Sequence, residues 1–460
     1  MKLSLFEISK ELEIEFDNSL DCQINNIKID SRKVVDGDVF VAIKGESFDG
    51  HDFVSQAFEN GAVAAIVEKN IENFDNSKVL FKVDNCIDAM QKIAAFYRSK
   101  FDIKVIGVTG SVGKSTVKEM LASIFSKEFR VSKSFGNSNG QIGLPLSVFN
   151  ITDEIQIVVL EMGISEIGEM SKLAQIAKPD FAIINNIGTS HLGNFGTLET
   201  TVHEKCQISS CSDCKLYVNG DNLQLSNYLK DRENVVYFGL SEDFPYRAEN
   251  LCTLGKETEF ILVTDSCKEL IRIPCIGIHN VYNALAAISL AMDFGIHIND
   301  IKQGLSEFIP LPRRQDIIEL NNCTLVDDSY NASLDSVKAS IGFLNSIESK
   351  GRNIALIADI LELGSYSREI HYDLGKFIAS SQIDLLVTVG NYSSFINEGV
   401  KSICPDFDSI HFATNDEAFD YLCNIIKDED KILIKGSNGM KVDEIVSKLI
   451  DKFGLKNEKS

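Results

Sequence analysis

Short apolar runs alternate along this chain with stretches in which apolar residues recur every three or four positions. The runs have the length of strands and are bounded by turn residues. They occupy residues 38–43, 64–67, 79–83, 105–108, 155–160 and 181–186, and then 324–326, 354–357, 385–389, 410–412 and 432–434. Helical spacing lies between most of them, for example at Val117, Met120, Leu121, Ile124 and Phe125. The pattern predicts an α/β protein built on parallel sheets.

A chain of 460 residues is expected to fold into about three domains. The first segment, residues 1–100, ends with a helical pattern just before the strand at 105–108. The second, residues 101–312, ends at the proline-bracketed hinge Pro310-Leu-Pro-Arg-Arg-Gln315. In the third, residues 313–460, no strand is followed by the dinucleotide fingerprint G-x-G-x-x-G. We predict a small α/β domain, a central parallel-sheet domain and a Rossmann-like C-terminal domain.

A glycine-rich segment, Gly107-Val-Thr-Gly-Ser-Val-Gly-Lys-Ser-Thr116, joins a predicted strand to a predicted helix. Such a turn points backbone N–H groups into one hollow at the positive end of the helix dipole. There Lys114 can reach the outer phosphates of a nucleotide, and the Ser115 hydroxyl can hold Mg²⁺. The usual spacing has glycine where Val108 stands, so a chance turn is the alternative. The strand and helix on either side favour a site for ATP or GTP.

Polar residues follow the next two predicted strands. Glu161 ends the strand at 155–160, and its carboxylate suits Mg²⁺ or the waters around it. The strand at 181–186 ends in Asn186 and leads to His191. Parallel sheets bind ligands at the carboxyl ends of their strands, so we expect these side chains to share a rim with Lys114. A single histidine is often structural, but the presence of Glu161 favours a functional one.

Two other polar groupings each allow a structural and a functional interpretation. Asn280 and Asn283 lie one helical turn apart, and they either cap their helix or turn their amides toward a base. Asp30-Ser31-Arg32 and Asp49-Gly50-His51 contain an arginine suited to phosphate and small groups able to hold a uracil or ribose edge. The same residues also suit ordinary turns with a surface arginine. Both alternatives stay open at this point.

The charge balance argues against several classes of partner. Acidic residues outnumber basic ones by 67 to 45, which gives a formal net charge of −22. Without a basic cluster we expect no nucleic-acid partner and no anionic membrane surface. The N-terminal residues meet charge too early for a signal peptide, and no apolar run approaches the roughly 20 residues that span a bilayer. We expect a soluble, cytoplasmic monomer.

Three of the eleven cysteines, Cys206, Cys211 and Cys214, have the C-x4-C-x2-C spacing of plant-type ferredoxins. They fall in a predicted helix, and no fourth ligand lies nearby in the sequence. Free thiols are therefore favoured over an iron–sulfur cluster.

With these pieces in order, the chain resembles the Mur ligase family from end to end. Residues 109–116 are similar to the family's phosphate loop T-G-x-x-G-K-[ST]-[ST], which explains the unusual glycine spacing. Asp30-Ser31-Arg32 with Asp49-Gly50-His51 resembles its UDP-binding first domain. The segments 185–196, 327–332 and 359–364 look specifically like the branch that adds D-alanyl-D-alanine.

The resemblance implies an ATP-dependent, ADP-forming ligase of peptidoglycan synthesis, with UDP-N-acetylmuramoyl-tripeptide and D-alanyl-D-alanine as partners and Mg²⁺ as cofactor. ATP would convert the peptide carboxylate to an acyl phosphate, which the amine of the dipeptide then attacks. Water destroys an acyl phosphate, so the third domain should close over the site about the hinge at 312–315.

The resemblance also implies a role for individual residues. ATP would be bound by Thr109, Gly110, Ser111, Val112, Gly113, Lys114, Ser115 and Thr116, with Asn280, Asn283, Arg314 and Asp328 around the adenosine. The catalytic set would be Lys114, Glu161, His191 and Lys205. Ser115 and Glu161 would hold one Mg²⁺ ion. His191 would hold a second together with Lys205, which the family carries as a carbamylated lysine. The substrates would contact Ser31, Arg32, Asn137, Asn139, Tyr330 and Asn331.

Three segments depart from the family pattern. Asn139-Gly140-Gln141-Ile142-Gly143 replaces an Asn-Asn-Glu-Ile-Gly-like stretch, Lys435-Gly-Ser-Asn438 replaces Lys-Gly-Ser-Arg, and Asn331-Ala-Ser333 replaces Asn-Ala-Asn. These changes leave the phosphate loop intact and put the acceptor contacts in question.

Other functions fit this sequence less well. The first 100 residues argue against a folylpolyglutamate synthase, and residues 359–364 argue against the tripeptide-forming Mur ligase. A regulatory GTPase would need an Asn-Lys-x-Asp guanine motif after the loop, and none is found there. A non-catalytic paralogue is disfavoured because Lys114, Glu161, His191 and Lys205 occur together.

Overall fold

The computed structural model describes residues 1–45, 47–71 and 78–456, and their strands form three separate β-sheets. Each sheet lies within one of the three predicted segments. The α/β fold predicted from the short apolar runs is confirmed.

The first sheet has four parallel strands in the order β1-β2-β3-β4. Its strands are β1 (Ile27–Lys28), β2 (Val39–Val41), β3 (Ala64–Val67) and β4 (Val79–Lys82), and the helices of this region are α1 (Leu5–Glu11), α2 (Val54–Glu59) and α3 (Cys86–Ser99). Helix α1 begins at Ser4, where the Ser4 hydroxyl and the Glu7 carboxylate each accept a backbone N–H. Asn85 starts α3 by accepting the backbone N–H of Asp88.

The second sheet has nine strands in the order β13-β12-β11-β10-β9-β8-β5-β7-β6. These are β5 (Lys104–Thr109), β6 (Val131–Lys133), β7 (Ile157–Glu161), β8 (Phe181–Ile184), β9 (Lys215–Asn219), β10 (Val235–Gly239), β11 (Tyr246–Leu254), β12 (Glu257–Val263) and β13 (Lys268–Ile273). The helices of this region are α4 (Lys114–Phe125), α5 (Gly143–Val148), α6 (Glu169–Ala177), α7 (Leu192–Phe195), α8 (Leu198–Cys206), α9 (Leu223–Leu229), α10 (Ile278–Phe294) and α11 (Ile298–Glu307).

Strand β5 lies between β7 and β8. The chain leaves β5 through α4 and reaches β6 beyond β7, whereas it leaves β7 through α6 and reaches β8 on the other side of β5. The connections therefore diverge at the carboxyl end of β5, and open parallel sheets bind their ligands at such a switch point. The glycine-rich loop begins at that point.

Strands β11, β12 and β13 extend the sheet in antiparallel order, and the apolar runs did not predict them. Along β12 the buried Thr258, Phe260 and Leu262 alternate with more exposed residues. One face of this extension is solvated, so its strands lack the continuous apolar run of a strand that is buried on both faces.

The first segment shares its hydrophobic core with the second. A single cluster of buried side chains contains Leu3, Ile93 and Tyr97 of the first segment together with Leu173 and Leu229 of the second. Helix α3 contacts both α5 and α6, and the Tyr97 hydroxyl donates a 2.7 Å hydrogen bond to the carbonyl oxygen of Ile151. The predicted boundary near residue 100 therefore crosses a packed interface, and the three-domain division stays a prediction.

The third sheet has the order β14-β15-β19-β16-β17-β18, in which only β14 is antiparallel. Its strands are β14 (Asp316–Glu319), β15 (Thr324–Asp327), β16 (Asn353–Ala358), β17 (Leu385–Val389), β18 (Ser409–Phe412) and β19 (Lys431–Lys435). The helices are α12 (Leu334–Ser346), α13 (Ser367–Ala379), α14 (Ser394–Ile403), α15 (Asn415–Ile425) and α16 (Asp443–Phe453). Helices α12 and α15 begin with capping boxes at Ser333 and Thr414.

The predicted hinge is the irregular connection between α11 and β14. Arg313 and Gln315 have backbone φ angles of +61° and +58°, which non-glycine residues seldom adopt. The Arg313 guanidinium donates to the Ser329 hydroxyl and to its carbonyl oxygen, both at 3.1 Å. Contacts to the third sheet therefore hold this strained backbone in place.

We predict that Tyr97→Phe lowers the free energy of unfolding by about 1 kcal/mol, because the buried carbonyl oxygen of Ile151 loses its donor. Urea unfolding of the full chain would measure this change. The exposed Tyr392 provides the control, since Tyr392→Phe should leave the midpoint unchanged. Equal midpoints for the wild type and Tyr97→Phe would contradict the prediction.

Candidate functional site

A cavity of about 820 Å³ opens at the carboxyl ends of β5, β7 and β8 and is also lined by the third segment. Of the residues predicted for the site, its lining contains Ser111, Val112, Gly113, Lys114, Ser115, Thr116, Asn137, Asn139, Glu161, His191, Asn280, Asn283, Arg314, Asp328, Tyr330 and Asn331. Thr109, Gly110, Lys205, Ser31 and Arg32 are not part of this lining. The structure thus brings together most of the residues expected around a nucleotide.

The glycine-rich loop is braced from behind by asparagine side chains. Asn186 accepts the backbone N–H of Ser111 through its carbonyl oxygen and that of Val112 through Oδ1, both at 2.9 Å. Asn185 Nδ2 donates to the carbonyl oxygen of Val112 at 3.2 Å and to Asn283 Oδ1 at 2.8 Å. These bonds fix the loop where β5 leads into α4.

Asn280 and Asn283 use their amides within the protein. Asn280 Nδ2 donates to the carbonyl oxygen of Ile276, and Asn283 Nδ2 donates to Asn280 Oδ1 at 3.0 Å. Helix α10 begins after Gly277 without a side-chain cap. The pair therefore links α10 to the glycine-rich loop through Asn185, a role that the sequence did not predict, and contact with a base stays a prediction.

Lys114 folds back over its own loop. Its Nζ donates to the carbonyl oxygen of Gly110 at 2.8 Å, so the ammonium lies above the hollow formed by the loop. Burial lowers the pKa of Lys114 below its usual range; Glu161 opposes this shift, and Arg314 adds to it. The positive charges of two side chains thus meet in the cavity, as a polyphosphate ligand would require.

Glu161 is buried at the end of β7, and one of its carboxylate oxygens has no hydrogen bond among the described residues. Its Oε1 accepts a hydrogen bond from Asn139 Nδ2 at 2.8 Å, whereas Oε2 has no hydrogen-bond partner among the described residues. Lys118 Nζ lies 3.6 Å from Oε2 and donates to the carbonyl oxygen of Gly136 at 3.1 Å. A buried oxygen of this kind is a hard ligand suited to Mg²⁺.

Sequence reasoning missed Lys118, which is 1% exposed and lies one turn after Lys114 on α4. The available signal was the pair of apolar residues three and four positions further along the helix, Leu121 and Ala122, which lie on the same face as Lys118. Because Lys118 contacts both Glu161 and the segment before Asn137, it ties the carboxylate to the predicted substrate loop.

His191 meets a carboxylate from the third segment. Its backbone has a φ of +57°, and its Nδ1 lies 2.5 Å from Glu362 Oε2. Although the two atoms lie close together, Nδ1 has no aligned hydrogen bond among the described residues. Glu362 belongs to the segment 359–364, and its pairing with His191 was not predicted.

Lys205 is 1% exposed on α8 and, among the described residues, has neither an ion pair nor a hydrogen bond at Nζ. Burial, together with the charge of Lys114, holds the pKa of Lys205 well below its usual range. Burial therefore favours the uncharged amine, which is the nucleophilic form of a lysine.

Arg314 connects the third segment to the glycine-rich loop. Its Nη2 donates to the Ser115 hydroxyl at 3.1 Å, and its guanidinium stacks 4.1 Å above the Tyr330 ring. Asp328 accepts hydrogen bonds from Lys435 Nζ at 2.7 Å and from the Ser340 hydroxyl. Arg314 and Asp328, which are predicted to lie near an adenosine, are therefore each held in place by neighbouring side chains.

One altered segment contacts predicted substrate residues, and another contacts helix α3. Asn438 donates its backbone N–H to Asn331 Oδ1 at 3.3 Å and its side-chain amide to the carbonyl oxygen of Tyr330 at 3.2 Å. Gln141 accepts hydrogen bonds from Gln91 of α3 through its carbonyl oxygen, at 3.0 Å, and through its side chain.

The predicted UDP motif lies apart from this cavity. The Ser31 hydroxyl donates to Gln56 Oε1 at 2.7 Å, and the exposed Arg32 pairs with Asp30 at 2.9 Å. His51 Nε2 accepts the backbone N–H of Glu68. These contacts are those of a well-formed turn region, and the binding of UDP stays a prediction.

Two further expectations concern metals and membranes. Burial raises the pKa of the Cys206 and Cys214 thiols to about 12, which keeps them protonated. The described residues contain no group of three His, Cys, Asp or Glu side chains arranged to hold a metal ion. No helix in the described part of the chain has the length and apolar character needed to cross a membrane.

Comparison with known proteins gives consistent matches over most of the chain. Residues 23–98 match the Mur ligase family catalytic domain, residues 108–291 the Mur ligase middle domain, and residues 313–438 the Mur ligase glutamate ligase domain. The chain is 34% identical over 431 residues to the UDP-N-acetylmuramoyl-tripeptide--D-alanyl-D-alanine ligase of Bacillus subtilis, covering 93% of both chains. With the same enzyme of Escherichia coli the identity is 32% over 439 residues, covering 93% of this chain and 94% of that one.

Solved structures are similar over nearly the whole fold. MurF from Acinetobacter baumannii superposes with a TM-score of 0.88 at 30% identity, covering 96% of this chain and 98% of that one. The MurF ligase of Thermotoga maritima, solved in complex with ADP, superposes with a TM-score of 0.82 at 28% identity, covering 95% and 99%.

We predict that Gly113→Ala weakens ADP binding at least about tenfold, a loss of about 1.4 kcal/mol. Gly113 has a φ of +84°, and a Cβ there would overlap Asn283 Oδ1 and Asn185 Nδ2, which brace the loop. Isothermal titration calorimetry would measure the affinity. Gly168 is a matched control, because its φ is +85° and a Cβ there would meet nothing within 4 Å. Equal losses in the two variants would show that backbone strain, not the overlap, causes the effect.

His279, which sequence reasoning also missed, lines the cavity half-buried beside Asp328 and Lys435, and burial lowers its pKa to about 4. In the unfolded chain a histidine titrates near about 6.5, so between these values the unfolded state binds more protons. We therefore expect the stability to fall as the pH is lowered from 7 to 5, and to fall less in His279→Asn. Urea midpoints at the two pH values measure this, and an identical fall in both proteins would contradict it.

Proposed function

The chain belongs to the Mur ligase family, and on this basis we propose that it joins D-alanyl-D-alanine to the carboxylate of UDP-N-acetylmuramoyl-tripeptide while converting ATP to ADP and phosphate. The product would be the pentapeptide precursor of peptidoglycan. The observation that carries the proposal is the likeness, over more than nine-tenths of the chain, to enzymes named for this reaction. The cavity adds to it, because residues from the second and third segments meet there.

ATP would bind with its phosphates over the glycine-rich loop. The N-terminus of α4 and the Lys114 ammonium both present positive charge to this space. Arg314 brings a second cation from across the hinge and already touches Ser115. We propose that Asn280, Asn283 and Asp328 lie around the adenosine, as they would in the family.

Magnesium is the expected cofactor, and Glu161 Oε2, which faces Lys118 but accepts no hydrogen bond among the described residues, fits it. Glu161 Oε2 is a buried carboxylate oxygen without a hydrogen bond, and Mg²⁺ prefers such oxygen ligands. Ser115 and Glu161 would hold one ion, and His191 with Lys205 a second. Bound there, Mg²⁺ would neutralise charge on the phosphate oxygens during transfer.

Lys205 would serve in this site as a carbamate. Its neutral amine can attack CO₂, forming a C–N bond and losing one proton to water, which leaves an anionic oxygen ligand. Two observations support the modification: Nζ has no ionic partner among the described residues, and the positive form is disfavoured by burial. A bare ammonium in the same place would repel Mg²⁺.

The reaction itself requires activation of a poor electrophile. The tripeptide carboxylate attacks the γ-phosphorus of ATP, the bond to the β-phosphate breaks, and an acyl phosphate and ADP form. The dipeptide amine then attacks the acyl carbon, phosphate leaves, and one proton is released. Lys114 and the loop N–H groups would stabilise charge on the transferred group, and the third segment would exclude water.

We propose that the three predicted domains share the substrates between them. Residues 1–100 would bind the UDP end through Ser31 and Arg32, residues 101–312 would bind ATP, and residues 313–460 would bring Tyr330 and Asn331 to the acceptor. Asn137 and Asn139 would face the muramoyl peptide, with Asn139 held by its bond to Glu161. The enzyme would act as a monomer in the cytoplasm.

The test measures phosphate release from ATP and Mg²⁺ in the presence of UDP-muramoyl-tripeptide, with and without D-alanyl-D-alanine. We expect release that depends on the dipeptide, with a UDP-muramoyl-pentapeptide as the product by mass spectrometry. Lys114→Ala should reduce the rate about a hundredfold or more, because one charge-stabilising donor is lost.

Two results would change the proposal. Release with another amine, but not with D-alanyl-D-alanine, would keep the ligase and assign the altered specificity to segments such as 435–438. No release with any amine or peptide would reject the enzyme and favour a nucleotide-binding protein without catalysis.

A further inference from the structure

The segment 359–364 has no part in the chemistry proposed so far, yet it is firmly anchored in the third segment. The Asp359 carboxylate accepts the backbone N–H groups of Asn391, Tyr392 and Ser393 at 2.7–2.9 Å. His371 Nε2 accepts the N–H of Ile360 at 3.0 Å, and the Ser437 hydroxyl accepts that of Leu361 at 2.9 Å. These bonds fix the segment to the third sheet.

The far end of this segment docks on helix α7 of the second segment. The backbone N–H of Gly193 donates to the carbonyl oxygen of Glu362 at 3.0 Å, and the Tyr366 hydroxyl donates to the carbonyl oxygen of Gly196 at 2.9 Å. A Cβ on Gly193 would lie 2.5 Å from the backbone nitrogen of Gly364. The two backbones thus approach so closely that only glycine fits at residue 193.

Docking brings Glu362 to the ring of His191. Both residues have left-handed backbones, with φ values of +62° and +57°, and strain of this kind often marks a clamp held by its surroundings. Their side chains approach to 2.5 Å between Oε2 and Nδ1. A carboxylate at Nδ1 favours the tautomer with the proton on Nδ1, which leaves Nε2 as the basic nitrogen.

We propose that Glu362 is a positioning residue that fixes the ring and tautomer of His191 only when the third segment is docked on α7. The capacity of His191 to bind a divalent cation through Nε2 would then depend on this docking. The inference rests on the proposed function in assigning a cation to His191. The contact itself can be tested independently.

The test uses the full chain with ADP and titrates Mn²⁺, whose binding is followed by electron paramagnetic resonance. We expect Glu362→Gln to weaken Mn²⁺ binding about tenfold, in the range typical of outer-shell partners of metal ligands. Gly193→Ala should have a similar effect because the clash undocks the segment. The double variant should be no weaker than either single one, since both changes remove the same contact.

Tyr366→Phe is the matched control, because it removes a docking hydrogen bond without touching His191. We expect Mn²⁺ affinity to stay within about twofold of the wild type. Equal losses in Tyr366→Phe and Glu362→Gln would show that Glu362 acts through docking alone. Unchanged affinity in Glu362→Gln would also overturn the proposal.

A second measurement separates this inference from the proposed function. Nitrogen-15 spectra of the histidine rings, with His191 assigned from His191→Gln, report the tautomer without any turnover. We expect the Nδ1–H tautomer in the wild type and a mixture of tautomers in Glu362→Gln. If the wild type shows the Nδ1–H tautomer but no ligase activity, the positioning role of Glu362 stands and the proposed function fails. If the wild-type His191 ring has the other tautomer, the positioning role is rejected, whatever the ligase activity.

Discussion

The glycine-rich loop after β5 keeps its shape because the space behind it is already filled with amide groups. Asn185, Asn186 and Asn283 hydrogen bond to the loop or to one another, and they leave no room for a Cβ on Gly113. Since Asn283 lies on α10 and the other two follow β8, two separate elements fix the loop. The position of Lys114 above the loop, and through it the geometry of the whole cavity, depends on this packing.

Charge imposes the second constraint on the site. Lys118 and Lys205 are buried near the end of β5, Lys114 is half-buried there, and Glu161 pairs with Lys118 and opposes the charge of Lys114. Removing one partner from a buried group of charges lowers the stability of the fold, because the remaining buried charges are neither paired nor solvated. The lowered pKa of Lys205 favours its neutral form, which needs no partner of opposite charge. The site is therefore built to receive negative charge, which the phosphates of a nucleotide would bring.

The sequence was most informative where local chemistry decides the structure. The loop at 107–116, the buried strands and the polar residues at their ends follow from apolar runs and glycine spacing, and the structure places Glu161 and His191 in the cavity with Lys114. It was least informative about contacts between distant segments. Lys118 and Glu362 acquire their partners only through folding, and the solvated face of β12 gave no continuous apolar run. Likewise, no local signal revealed that α3 shares a core with the second sheet.

This shared core has a consequence for how the protein is made. As the chain leaves the ribosome, α3 appears before the strands and helices that cover Ile93 and Tyr97. Translation must proceed by roughly 130 more residues before Leu229 emerges, which takes on the order of ten seconds at bacterial speeds. During that interval the newly made segment exposes an apolar helix face, a surface that chaperones recognise. The completion of this core, and with it the shielding of α3, therefore waits for residues that follow the glycine-rich loop in the chain.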